Sequence, residues 1–423
     1  MTIRVEGLRF ASGMPAQACP ALDAGTPPRP YPLPMPEPLA LYVHWPFCAA
    51  KCPYCDFNSH VRERVDAARF GAALRRELAF EAARLEAEGQ GRRPLASVFF
   101  GGGTPSLMPP EVVADIIADA TRLFDPVPGI EITLEANPSS VEVARLAEVS
   151  AAGVNRASLG VQSLDAEALR FLGRRHDVPQ AIAALEAARS LFPRLSFDLI
   201  YARPGQQEAA WRAELRQALA LAADHLSLYQ LTIEPGTRFA TEYARGAFAL
   251  PDDEAAAALY FATGEEAARF GLLPYEVSNY AKPGAESRHN LAYWRYGDYI
   301  GIGAGAHQRL LLKEGLVAAR RHRGPEEWLA RVEAEGHAIT GTETLSPTDR
   351  AREALLMGLR LSEGVHPDRL LARTGVPLAE AVDPAILAAC LDEDYLRWTP
   401  EGALAATWEG RLRLDLLLPS LLR

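Results

Sequence analysis

The chain has 423 residues, 48% apolar and 23% charged, enough to bury one large domain and a smaller one, so disorder is not the expected state. Lys and Arg number 44 against 54 Asp and Glu, a net charge of -10, and no long basic run exists to neutralise phosphates, so no nucleic-acid partner is expected. No apolar stretch approaches the roughly 18 residues that span a bilayer, and the N-terminus lacks a basic flank before an apolar core, which leads to the expectation of a cytoplasmic protein.

Residues 27–38, PPRPYPLPMPEP, carry seven prolines in twelve and predict an extended arm over 1–38, with the folded part starting near Leu39. From there six short apolar runs rich in β-branched and aromatic residues alternate with helical periodicity: 39–45, 95–100, 130–136, 156–162, 195–201 and 225–233. Between the second and third runs, 109–124 places Val112, Val113, Ile116, Ile117, Ala120, Leu123 and Phe124 on one face. Strand followed by helix six times over predicts an α/β fold, a parallel sheet or partial barrel with its chemistry at the C-terminal strand ends. The pattern then changes: a capping signal at Ser346 and Asp349 precedes an apolar helix, and 397–422 read as a hairpin followed by a helix. The expected division is a core over 39–320 and a small C-terminal α/β, winged-helix-like domain over 321–423.

Five cysteines do not make a disulfide framework, and three of them, Cys48, Cys52 and Cys55, fall within eight positions directly after the first strand. Three thiolates from one loop can hold three corners of a 4Fe-4S cube and leave the fourth iron open to a reactant. Read without further context, the same cysteines also suit a structural zinc completed by His44, His60 or Asp56.

C-x3-C-x2-C after the first strand of such a barrel resembles the radical S-adenosylmethionine (SAM) superfamily, in which the open iron is chelated by SAM and one electron cleaves the sulfonium. The stretch YVHWPFCAAKCPYCDFNSH resembles more specifically the branch containing the oxygen-independent coproporphyrinogen III dehydrogenases and the HemW heme chaperones. The resemblance spans about 39–310 and implies a partial (β/α)6 TIM-like barrel, a 4Fe-4S cluster on the three cysteines, and a SAM site. For SAM it implies Tyr42, Gly102, Gly103 and Thr104 of FFGGGTPS, Glu135 of ITLEANP, Gln162 of GVQS, Arg174, and Asp198 within LSFDLIY. Glycines let a backbone approach a ligand closely, a carboxylate suits ribose hydroxyls or an ammonium, and a buried Asp requires a partner. Two departures stand out, Ala202-Arg203 where relatives carry Gly-Leu, and Ala304 where they carry Pro.

Two features separate the branches. The dehydrogenases add a fourth cysteine two positions after the third, where this chain has Phe57, which points to the HemW side. His289, Asn290, Tyr293 and Trp294 resemble the segment associated with heme binding there, so His289 is the implied heme ligand, with His307 as competitor. The implied partners are heme, an acceptor hemoprotein that can be membrane-associated, and an electron donor. The alternative is an enzyme that oxidatively decarboxylates coproporphyrinogen propionates. The stretches 225–237 and 275–281 resemble HemW too, and no chemistry is assigned to them.

Overall fold

The structure, a computed structural model, describes residues 38–423. The expected arm lies outside the described residues except for Pro38, and Cys19 lies outside with it.

Six parallel strands form where the apolar runs place them: β1 (Leu39–Trp45), β2 (Pro94–Gly102), β3 (Asp125–Ala136), β4 (Arg156–Gln162), β5 (Arg194–Tyr201) and β6 (His225–Gln230). They lie side by side in chain order, each parallel to the next. A parallel sheet is covered on both faces, which is why its strands read as nearly continuous apolar runs. Among the covering helices are α1 (Ala67–Ala87), α2 (Pro110–Leu123), α3 (Val178–Leu191) and α4 (Glu208–Leu221). On α2, Val112, Val113, Ile116, Ile117 and Ala120 are buried, and Pro110 opens the helix where its missing N–H costs nothing.

The sheet is larger than six strands. After α5 (Asp253–Arg269), β7 (Leu273–Pro274) and β8 (Asn279–Ala281) add an antiparallel edge beyond β6. After α6 (Arg288–Trp294), a seventh parallel strand, β9 (Tyr299–Ile302), pairs with β1 and sets Gly301 opposite Tyr42. The glycine-rich run 301–305 hides it, because four residues beside glycines give no strand signal. Outside β9, β10 (His307–Leu312), β11 (Gly315–Arg321) and β12 (Ile339–Thr344) run antiparallel, so the twelve-stranded sheet continues past residue 320. Buried acids of α1 tie this extension down. Glu77 accepts from the Gly303 amide at 2.8 Å, the Trp328 indole at 3.0 Å and the Ala338 amide at 3.0 Å, and Glu81 pairs with the fully buried Arg321.

The C-terminal part has its own core of Leu355, Leu359, Leu370, Leu404 and Leu418, which also takes in Tyr296 and Leu316. Ser346 caps α7 (Pro347–Gly358) by accepting from the Asp349 amide at 3.1 Å. The Asp349 carboxylate accepts the Ser346 hydroxyl instead of completing a reciprocal box. The expected hairpin forms as β13 (Leu396–Trp398) and β14 (Leu404–Ala406), followed by helices 408–412 and 414–421.

Candidate cofactor site

The three cysteines lie on a loop that leaves β1 and is closed by a short parallel pairing of Phe47–Cys48 with His60–Val61. Cys52 and Cys55 bracket a turn in which the Cys55 amide donates to the Cys52 carbonyl at 3.2 Å. Cys48 is buried, Cys52 and Cys55 are half-buried, and all three thiols are free. Burial pushes the Cys48 and Cys55 thiols up, so metal binding there must release protons. The loop is anchored from the far side of the barrel: the Phe239 amide donates to the Pro53 carbonyl at 2.9 Å, and a Cβ on Gly173 would meet Pro53 at 2.6 Å.

The glycines at the end of β2 serve close approach between parts of the chain. The Gly103 and Thr104 amides donate to the carbonyls of Trp45 at 2.7 Å and Phe47 at 2.8 Å. A Cβ on Gly103 would sit 2.6 Å from the Phe47 carbonyl oxygen. Gly102 has φ +111°, and a Cβ there would strike the His44 ring at 2.5 Å. The Gly102 amide donates to Glu135 Oε2 at 3.2 Å, joining the glycine run to the end of β3.

Opposite stand the polar groups of β3 to β5. Glu135 is pushed up to about 8 by burial and then by Asp198, against the Gly102 hydrogen bond. Asp198 is pushed up to about 6 by burial, which outweighs a hydrogen bond from Ser227. Gln162 holds φ 71° in the left-handed region, and its Oε1 is buried without a hydrogen-bond partner. Arg174 spans the gap: Nη1 lies 3.2 Å from Cys52 Sγ and 3.3 Å from the Tyr54 hydroxyl, and Nη2 donates to Asn137 Oδ1 at 2.5 Å and the Gly160 carbonyl at 2.7 Å. Its Nε has no partner.

One cavity of about 610 Å³ gathers Cys48, Cys52, Cys55, Gly102, Gly103, Thr104, Glu135, Gln162, Arg174 and Asp198. Two expected residues are not brought to it. Tyr42 sits behind the glycine wall with its hydroxyl on His44 Nδ1 at 2.9 Å, its ring 6.3 Å from that of Phe99. His289 is 2% exposed, bonded through Nδ1 to Ser97 Oγ at 3.0 Å and through Nε2 to the Tyr293 hydroxyl at 3.0 Å, and stacked on Phe99. As folded it offers no free nitrogen to heme iron, because both are satisfied inside the protein. Burial holds its imidazole neutral, down to about 3. His307 begins β10 and is not among the cavity residues either.

Other cavity residues went unassigned in the sequence: Asn137, Tyr229, Gln230, Tyr260 and Ser278, and Arg360 and Arg411 from the C-terminal part. The stretches 225–237 and 275–281, to which the sequence assigns no chemistry, thus contribute walls. The Ala202 departure has a physical meaning, since its φ of 55° lies where glycine is unstrained.

The residues fit a cluster with an open position beside a polar small molecule. Three thiols face a cavity that holds unpartnered hydrogen-bonding atoms on Gln162 and Arg174. The zinc alternative loses one proposed ligand: His44 accepts from Tyr42 and donates Nε2–H to the Asn58 carbonyl at 2.9 Å.

Comparison with known proteins agrees. The radical SAM superfamily matches residues 42–218, and the HemN C-terminal domain matches residues 345–405. Fold and site together define a radical SAM protein with a HemN-type C-terminal domain. A structure of coproporphyrinogen III oxidase (HemN) from Escherichia coli, described as a radical SAM enzyme, shares the fold with TM-score 0.75 over 92% of this chain and 91% of that one, at 22% identity. Radical S-adenosyl methionine domain-containing protein 1, mitochondrial, of Bos taurus is 40% identical over 97% of this chain and 93% of its own. Heme chaperone HemW of E. coli K12 is 36% identical over 87% of this chain and 96% of its own. The chain belongs to the HemW heme chaperone family of radical SAM proteins. Among the described residues no helix is long and apolar enough to cross a membrane.

Proposed function

We propose that the chain binds heme and passes it to an acceptor hemoprotein, while Cys48, Cys52 and Cys55 hold a 4Fe-4S cluster and the adjoining cavity takes SAM. The observation that carries this reading is similarity along nearly the whole chain to a protein named as a heme chaperone. Phe57 supports it: where a dehydrogenase would place a fourth thiol, this chain has a phenyl ring 58% exposed. The division into a core over 39–320 and a C-terminal domain over 321–423 belongs to the same reading.

When bound, the cluster and SAM supply one-electron chemistry drawn from an external electron donor. The chain's own groups bind and orient. Gly102, Gly103 and Thr104 form one wall; Glu135, Gln162 and Asp198 offer acceptors to an ammonium and to ribose hydroxyls. Glu135 holds its proton at neutral pH until a cation meets it, and Arg174 sets a positive charge against the Cys52 sulfur. Tyr42 supports the wall from behind. Heme ligation by His289 requires α6 to lift away from Ser97 and Phe99 of β2 and the imidazole to leave the Tyr293 hydroxyl on its own helix.

Anaerobic reconstitution with iron and sulfide, followed by coproporphyrinogen III, SAM and a reductant, is expected to give no protoporphyrinogen at turnover rates. Turnover would sink the carrier reading in favour of decarboxylation. Hemin titration of the wild type is expected to develop a Soret band that shifts in His289→Ala, and identical spectra and affinities would remove His289 as ligand.

A further inference from the structure

Five arginines are buried among the described residues, and four have a carboxylate within reach: Arg93 with Asp298 at 2.6 Å, Arg156 with Glu131 at 3.9 Å, Arg203 with Glu214, and Arg321 with Glu81. The fifth does not. Arg411, 7% exposed in helix 408–412, has neither ion pair nor hydrogen-bond partner for Nε and Nη1, and its side chain borders the cofactor cavity. Its guanidinium lies over the Trp408 ring at 5.7 Å, a contact that satisfies none of its N–H groups.

Arg360 borders the same cavity. It stacks on Trp294 at 5.0 Å, and its Nε, also without a hydrogen bond, is 4.0 Å from Glu276 Oε2. Glu276 is half-committed already, accepting at Oε1 from the Ser278 amide at 2.8 Å and the Asn279 side chain at 2.6 Å. One buried carboxylate therefore faces two guanidiniums, and of the cavity's other acids Asp415 is exposed, Glu234 is half-buried, and Glu135 and Asp198 stand at the end of β3 and in β5. The Tyr260 hydroxyl, buried and unpartnered on the same wall, is a further donor. On this wall unpartnered donors and positive charge exceed the acceptors, which describes an anion site, and Leu412 and Leu414 beside them suit an anion carried on an apolar body.

We infer that Arg411 and Arg360 form a carboxylate subsite in the cofactor cavity that takes a propionate of the tetrapyrrole cargo. The cargo's identity rests on the heme-carrier reading; the anion site does not. The Trp294 ring lies under Arg360, so the His-Asn-x-x-Tyr-Trp segment also touches the site through Arg360.

The test uses the full chain with its cluster reconstituted, titrated with hemin and with hemin dimethyl ester, which lacks free carboxylates. Wild type is expected to prefer hemin by about tenfold or more, and Arg411→Gln to reduce hemin affinity to that of the ester while leaving the ester unchanged. Arg411→Lys is expected to recover part of the preference. Equal wild-type affinity for the two porphyrins, or an equal loss of both in Arg411→Gln, overturns the subsite. A drop in SAM affinity by equilibrium dialysis, with hemin unaffected, would assign the anion to SAM and also overturn it. If Arg411→Gln does not fold, Arg360→Gln carries the same comparison, and unchanged hemin binding there counts against the subsite. If wild type takes neither porphyrin, the heme-carrier reading fails. Iron-free coproporphyrin III, with four carboxylates, then becomes the fluorescent probe: Arg411-dependent binding keeps the anion site, and binding that is absent or indifferent to Arg411 overturns it.

Discussion

Replacing Glu135 with Gln should make the apo protein more stable, and increasingly so as pH rises. Glu135 titrates near 8 in the folded chain and near 4.5 when unfolded, so between those values the folded state holds the extra proton. For an acid raised in this way, stability is lost as pH climbs from the unfolded value to the folded one. Integrating the proton difference gives a cost of about 1 kcal/mol at pH 5 that grows to about 5 kcal/mol at pH 9. Gln keeps the acceptor for the Gly102 amide and has no proton to lose. Urea unfolding of wild type and Glu135→Gln at these two pH values should therefore show their difference change by about 2–4 kcal/mol in the variant's favour at the alkaline end, once cavity water has relaxed part of the penalty. A difference independent of pH to within about 0.5 kcal/mol would refute the claim that this carboxyl is protonated at neutrality. The same linkage predicts that SAM, by bringing an ammonium to Glu135, displaces a proton below pH 8, which buffer-dependent calorimetry would register.

Cys52→Ala should abolish the cluster's visible absorption while leaving the far-ultraviolet circular dichroism of the barrel intact; unchanged iron content would remove Cys52 from the ligand set. Gly103→Ala drives a methyl against the Phe47 carbonyl and should lower stability by about 1–3 kcal/mol, with cluster loading falling alongside; wild-type behaviour in both would show that the loop yields freely. His289→Ala strands the hydroxyls of Ser97 and Tyr293 and empties a stacked site, so a loss of about 2–4 kcal/mol is expected by chemical denaturation. A near-neutral result would mean that the imidazole is held less firmly than its two hydrogen bonds indicate.

How far the sequence could be read depended on how local each signal was. The six central strands were legible because burial on both faces leaves unbroken apolar runs, and the cavity residues at their C-terminal ends came with them. Strand β9 escaped because Gly301 and its glycine neighbours carry no propensity, and only pairing with β1 makes that segment a strand. His289 and Tyr42 were named through motif likeness, which records that a residue matters and not which way its side chain faces; here both pack against Phe99 in the interior. Arg360 and Arg411 had no local signal at all. Their meaning arises from docking of the C-terminal helices on the barrel, which brings together residues remote in sequence.

That docking also orders the life of the polypeptide. The thiol loop leaves the ribosome with β1, well before helix 408–412. Before that helix is in place the cavity lacks the wall formed by Arg411, Leu412 and Leu414. A closed cavity therefore exists only once helix 408–412 has docked, and the two ends of the site are joined last.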